Sequence, residues 1–327
     1  MTDSAAPSAA PSAFSERDMR VTVAGVEIAC RLTIPEDAGN GAILLLPGSL
    51  YSDVDGDYPA MHMRPHTYAD LAAQLGGRGF VVLRMAKIGP GTGSKMVDPA
   101  KAGRHADFLA RVDVAAAALA LLGETTSARP VIVAGHSEGA VVASLLAGAS
   151  DAGSIDGVVS LSGPSLPLLG IMREQMAAMT PLGVPADMTM FDRSAAAIRA
   201  GDPLPAEAAT DPSTALLASM PPTALAYIRS VDRIDPIAAI RQVRQPLLIV
   251  QGGRDPSVPP HHAAALAAAR HDLPTASAFF PELTHFYKVA PAGLAPMQNM
   301  ALTTDSDPAV ADAILIWSRS LAAARIL

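Results

Sequence analysis

One cysteine, Cys30, occurs in 327 residues. A lone thiol excludes an intrachain disulfide and a cysteine-built zinc site, and it fits a reducing compartment. No apolar run approaches the roughly 18 residues a membrane span requires. Lysine and arginine are scattered through a chain of net charge −7, so no basic face for nucleic acid is expected. Aromatic residues make up 4% of the chain, and alanine is abundant, a bias that reads as genomic base composition. Residues 1–17 are small, polar and Pro-containing, without the basic start and apolar centre of a signal peptide. A disordered tail is expected there, on a soluble cytoplasmic protein.

What is present is a half-apolar chain, enough for one large core or a core with an inserted domain. No internal repeat is visible. Val21–Val23 and Val26–Leu32, separated by Ala24-Gly25, read as an opening β-hairpin. Short apolar runs at 42–46, 80–84, 131–134, 158–161, 247–250 and 276–280 then alternate with helical stretches. That alternation predicts a mostly parallel sheet of about eight strands covered on both faces. The interval 163–240, after the sixth strand, breaks the rhythm, and a structureless loop of that size is improbable. It is read as a helical cap, with the core made of 18–162 and 241–327. Its methionines, Met172 and Met176 among them, suit either a lid touching apolar substrate or plain packing.

The most informative residues are Gly135-His136-Ser137-Glu138-Gly139, which follow the run Val131–Ala134 and precede the helical Ala140–Leu146. G-x-S-x-G between strand and helix is the nucleophile elbow of a serine hydrolase, tight enough to need glycine on both sides. A serine hydroxyl requires a base, and the base an orienting carboxylate. With this elbow the chain order is Ser, acid, His. His285 follows the last expected strand and Asp255 follows Leu247–Val250, both at the C-terminal edge where open α/β sheets place ligands. His261, His262 and His271 read as helix-end residues, and His62 and His66 as a solvated loop rather than a metal site. Asp232, Asp235, Asp305 and Asp307 are the rival acids; Asp235-Pro236 looks like a helix start. The oxyanion donors expected are the backbone N–H groups of Glu138 and of Ser49, with Leu50 as the alternative, in the loop after Leu44–Leu46. Leu50, His136, Met172, Met176 and Phe286 are candidates for the substrate pocket.

Leu46-Pro47-Gly48-Ser49, the elbow, the Asp255 turn and Thr284-His285 together resemble the α/β-hydrolase superfamily. More narrowly the chain is similar to bacterial carboxylesterases related to dienelactone hydrolases and to serine aminopeptidase-like hydrolases. Pro47–Gly56 is similar to their P-G-S-G-x-x-D-R-D-G segment, and Tyr227 through Asp235-Pro236 to their Y-x-x-S-x-x-x-Y-D-P. One departure stands out. Where relatives read R-Y-D-x-R-G-x-G-x-S, the chain has Ala86 and Ile88 in place of the Asp and Arg, followed by a glycine-rich Gly89–Gly93. That loop lacks a Gly-Lys-Ser/Thr ending, so it reads as a turn and not a phosphate loop.

The resemblance implies an α/β-hydrolase fold and a serine esterase acting on a small-molecule ester, with Ser137, Asp255 and His285 as triad. It calls for no metal or organic cofactor. A peptidase, thioesterase or acyltransferase with the same triad, or a non-catalytic small-molecule binder, are the alternatives. The oligomeric state stays open, a homodimer included.

Overall fold

The computed structural model describes residues 13–149, 154–179, 183 and 187–324. Among the described residues nine strands form one sheet: β1 (Phe14–Val23), β2 (Val26–Pro35), β3 (Gly41–Leu46), β4 (Phe80–Met85), β5 (Lys95–Met96), β6 (Val131–His136), β7 (Gly157–Leu161), β8 (Leu247–Gly252) and β9 (Thr275–Phe280). Their spatial order is β1-β2-β4-β3-β6-β7-β8-β9, with β5 beside β2. From β4 to β9 neighbouring strands run parallel, and β2 joins β4 antiparallel.

The helices are α1 (Thr67–Gly76), α2 (Pro99–Ala102), α3 (Ala110–Thr125), α4 (Glu138–Gly148), α5 (Leu168–Ala178), α6 (Thr189–Ala200), α7 (Ala215–Ala218), α8 (Pro222–Asp232), α9 (Pro236–Gln242), α10 (His261–Ala268), α11 (Pro296–Met300) and α12 (Ala309–Ala324). Helices cover both faces, which is why the central strands are continuous apolar runs rather than alternating ones. Alternate residues serve opposite cores. Leu44, Val133, Val158 and Ile249 face one cluster with residues of α3 and α4. Ile43, Ile132, Val159 and Leu248 face the other, with residues of α1 and α12.

Two expectations change. The strand β1 begins at Phe14, so residues 14–17 belong to the sheet rather than to a tail; residues 1–12 of that reading lie outside the described residues. Composition misleads here because β1 is held by tertiary charge pairs. Glu16 bonds the buried Arg84 on β4, and Asp18 bonds Arg31 on β2. The helices between β7 and β8 also run slightly past the expected interval, since α9 ends at Gln242. Within that interval Leu169, Phe191, Ala195, Ile198, Leu217 and Ile228 form a core of their own. Met172 and Met176 pack against it, which is the packing reading of these methionines.

Candidate active site

At the end of β6 the chain reverses into α4 through Ser137, whose backbone lies at φ 53°, ψ −119°. This is left-handed territory that costs on the order of 1–3 kcal/mol for a residue with a side chain. The surrounding packing enforces it. A Cβ on Gly135 would stand 2.0 Å from the Gly139 carbonyl oxygen, and one on Gly139 would stand 2.6 Å from that of Leu46. The Ser137 N–H donates to Leu161 O of the adjacent strand at 2.8 Å. Its side chain is left at the C-terminal rim of the sheet.

The loops after β8 and β9 bring Asp255 and His285 to the same rim. Asp255 Oδ1 accepts from the N–H groups of Ser257 (2.9 Å) and Val258 (2.8 Å). Its Oδ2 accepts from Gln251 Nε2 at 3.3 Å and from His285 Nδ1 at 2.8 Å. Both side chains are buried, at 0% and 6% exposure. A carboxylate only accepts, so the proton of neutral His285 sits on Nδ1 and the Nε2 lone pair is free to act as base. Among the described residues the Ser137 hydroxyl has no hydrogen-bond partner. Such contacts are often loose without substrate and tighten when it binds.

Opposite the elbow, the loop after β3 presses close: a Cβ on Gly48 would meet that of Ser137 at 3.2 Å. Leu50 adopts φ 68° and is half exposed. Among the described residues the N–H groups of Ser49 and Glu138 have no acceptor; Glu138, first in α4, has no carbonyl a turn behind it. Two unclaimed N–H donors beside a serine can hold a developing oxyanion.

The profile of the Alpha/beta hydrolase family matches residues 43–302, a span that holds Ser49, Ser137, Asp255 and His285. The chain belongs to that family. A relative in sequence is Esterase EstD of Thermotoga maritima, 27% identical over 246 residues, covering 75% of this chain and 53% of that protein. The chain thus spans about half the length of the curated relative it matches. Among solved structures, proline iminopeptidase of Mycobacterium smegmatis superposes with a TM-score of 0.57 at 15% identity, over 94% of this chain and 100% of that one. Est1E of Butyrivibrio proteoclasticus gives 0.55 at 15% identity, over 94% and 99%. These likenesses speak for the fold.

Three features of this family member are absent from the sequence reading. The first is a hydrogen-bond chain behind the elbow. Gly48 N–H donates to Tyr68 Oη (2.7 Å), Tyr68 is bonded to His136 Nδ1 (3.1 Å), and His136 Nε2 to the His285 carbonyl (2.9 Å). The carbonyl accepts, so Nε2 carries the proton and Nδ1 accepts from the tyrosine. Burial pushes His136 down to about 3, and its ring lies within the protein, 5.6 Å from that of Phe286. His136 and Phe286 are both buried, at 1% and 3% exposure, so they support the site from behind rather than line an open pocket.

The second is Lys87, beside the departure at Ala86 and Ile88. Its ammonium ion-pairs with Glu138 and donates to Gly48 O at 2.8 Å, both groups being buried. Burial lowers Lys87 to about 8 against the opposing pull of Glu138. A different polar pair thus braces the loop after β3. No local pattern announces it, because its partner lies on another element.

The third is a junction between α5 and α10. Glu174 Oε2 bonds His262 Nε2 at 2.8 Å, and Oε1 bonds His261 Nε2 at 3.3 Å. These three residues offer ligand atoms within 4.8 Å of one another. The Ser165 N–H, however, donates to His262 Nδ1 at 3.2 Å, which places the ring proton on Nε2, facing the carboxylate. The trio is therefore wired as a hydrogen-bonded clamp rather than as metal ligands. Elsewhere His66 pairs with Asp57. Asp232 binds Leu169 N and Arg199, and Asp235 caps α9. A cavity of about 330 Å³ lined by Arg104, Arg229 and Arg233 lies apart from these groups and includes none of the elbow residues.

Proposed function

We propose that the chain is a serine hydrolase that cleaves a carboxylic ester of a small molecule through an acyl-enzyme on Ser137. The observation that carries this reading is the buried Asp255–His285 hydrogen bond at the rim where the strained Ser137 emerges. His285 Nε2 takes the hydroxyl proton as Oγ attacks the ester carbonyl, and Asp255 holds the tautomer and stabilises the imidazolium. The Ser49 and Glu138 N–H groups receive the oxyanion. On collapse the imidazolium protonates the departing alcohol, and water activated by the same His285 then releases the acid. The esterase name of the Thermotoga relative supports ester over amide bonds. The helices between β7 and β8 serve as the cap over this rim. With its one cysteine buried, the enzyme suits the cytoplasm.

The test is hydrolysis of 4-nitrophenyl butyrate together with labelling by a fluorophosphonate. Wild type should turn over the ester and gain the adduct on Ser137, and Ser137→Ala should lose both. Asp255→Asn should drop kcat by up to about 10⁴ through the wrong tautomer. Near-normal turnover in Asp255→Asn would remove that residue from the triad. Cleavage of aminoacyl amides or acyl-thioesters in preference to esters would move the activity to the peptidase or thioesterase class.

A further inference from the structure

Arg111 opens α3 and points its guanidinium toward α8. Of its five N–H donors, only Nε has a partner among the described residues: Tyr227 Oη, at 3.3 Å. The guanidinium carbon lies 5.6 Å from the centre of the Tyr227 ring. No carboxylate pairs with it among the described residues, although Arg111 is only partly exposed. A guanidinium drawn out of water without an anion is unfavourable, and buried charges are ordinarily paired.

The surroundings compensate this positive charge only in part, through the Tyr227 contact and the more distant field of Glu138. Arg111 shares a cavity of about 30 Å³ with Lys87, Glu138 and Pro47. Glu138, the one carboxylate there, is taken by Lys87, so the cluster keeps an excess of one cation. Glu138 directly follows Ser137, so the cavity reaches the elbow through this one residue, and its lining includes neither Ser137 nor His285. Tyr227 accepts from Arg111 and has its own O–H hydrogen free to donate. Burial raises its pKa to about 12, which keeps that hydrogen in place.

We propose that Arg111, with the Tyr227 hydroxyl, forms an anion subsite beside the elbow, and that the ester this enzyme accepts carries a carboxylate. The planar fork matches a carboxylate in two parallel hydrogen bonds. The subsite pairs one group from the sheet domain with one from the cap helix α8, so a bound anion also bridges the two. The substrate class rests on the ester-hydrolase reading above; the subsite itself does not.

The experiment compares 4-nitrophenyl hemiglutarate with 4-nitrophenyl valerate, which differ chiefly in the terminal carboxylate. For wild type the kcat/KM ratio should favour the hemiglutarate. In Arg111→Gln that ratio should fall about 10- to 100-fold, mainly through KM, with partial recovery in Arg111→Lys. Using a ratio within each variant cancels any loss of folded enzyme. Calorimetry of monomethyl glutarate on Ser137→Ala gives an independent reading: saturable binding is expected, lost when Arg111→Gln is added. An unchanged ratio in Arg111→Gln would overturn the proposal, as would failure of the ester to bind Ser137→Ala. Should wild type hydrolyse neither ester yet bind monomethyl glutarate through Arg111, the subsite stands and the ester-hydrolase reading falls.

Discussion

His136 is held between a tyrosine and a carbonyl that leave its ring only one arrangement of protons. Burial keeps it neutral, with the folded value near 3 against about 6.5 in an open chain. Between those values the unfolded chain binds the extra proton, so folding stability falls as pH drops from about 6.5 toward 3. The contribution is on the order of a few kcal/mol. Urea titrations across that range should show the loss, and His136→Asn should flatten it while costing stability at neutral pH. Tyr68 tests the other end of the chain. Tyr68→Phe withdraws the acceptor of the Gly48 N–H and slackens the loop after β3. It should lower kcat by about tenfold with little change in KM. Neither role was legible in the sequence. His136 reads in the sequence as a substrate-pocket candidate beside the serine, and Tyr68 sits 68 positions away with no local mark of the contact.

Among elements, the strand–elbow–helix unit of β6 and α4 was the most legible, because steric exclusion writes itself into the sequence as paired glycines. Gly135→Ala should therefore be destructive: backbone at 2.0 Å cannot yield as a flexible side chain would. Loss of soluble folded protein by circular dichroism is the expected result. The meeting of Asp255 and His285 was legible for a related reason, since both follow neighbouring parallel strands that end at one edge. The helices between β7 and β8 were visible only as an interval, because their amphipathic segments are short and their partners distant. Asp232 shows how such a region is tied. It accepts from the Leu169 N–H at 2.7 Å and from Arg199 at 2.7 Å. Asp232→Ala leaves that N–H unsatisfied, at a cost of about 1–3 kcal/mol. Hydrogen exchange should accelerate in α5 well before β6 or β8 is affected.

Across the whole molecule, Arg84 joins regions that composition would keep apart. Its guanidinium, 2% exposed, reaches Glu16 on β1, Thr33 on β2, and Val54 and Asp55 in the loop before α1. Arg84→Met takes the nearer cation from Glu16 and Asp55 and leaves them only Arg31, at 4.0 and 3.3 Å, and a loss of about 1–3 kcal/mol is expected. Calorimetry should register it as a fall in Tm of several degrees. The parallel sheet was predictable because its central strands are buried runs dominated by apolar residues, Arg84 being the exception on β4. The start of β1 was not, because its stability resides in charges that meet only after folding. The separate apolar centre beneath α5, α6 and α8 has a different consequence. Of the described buried residues in the helices between β7 and β8, only Val231 of α8 and Ile240 of α9 belong to the core shared with α3 and α4. Changes confined to the inner face of α6 can therefore accumulate while the strands and their rim loops keep their places.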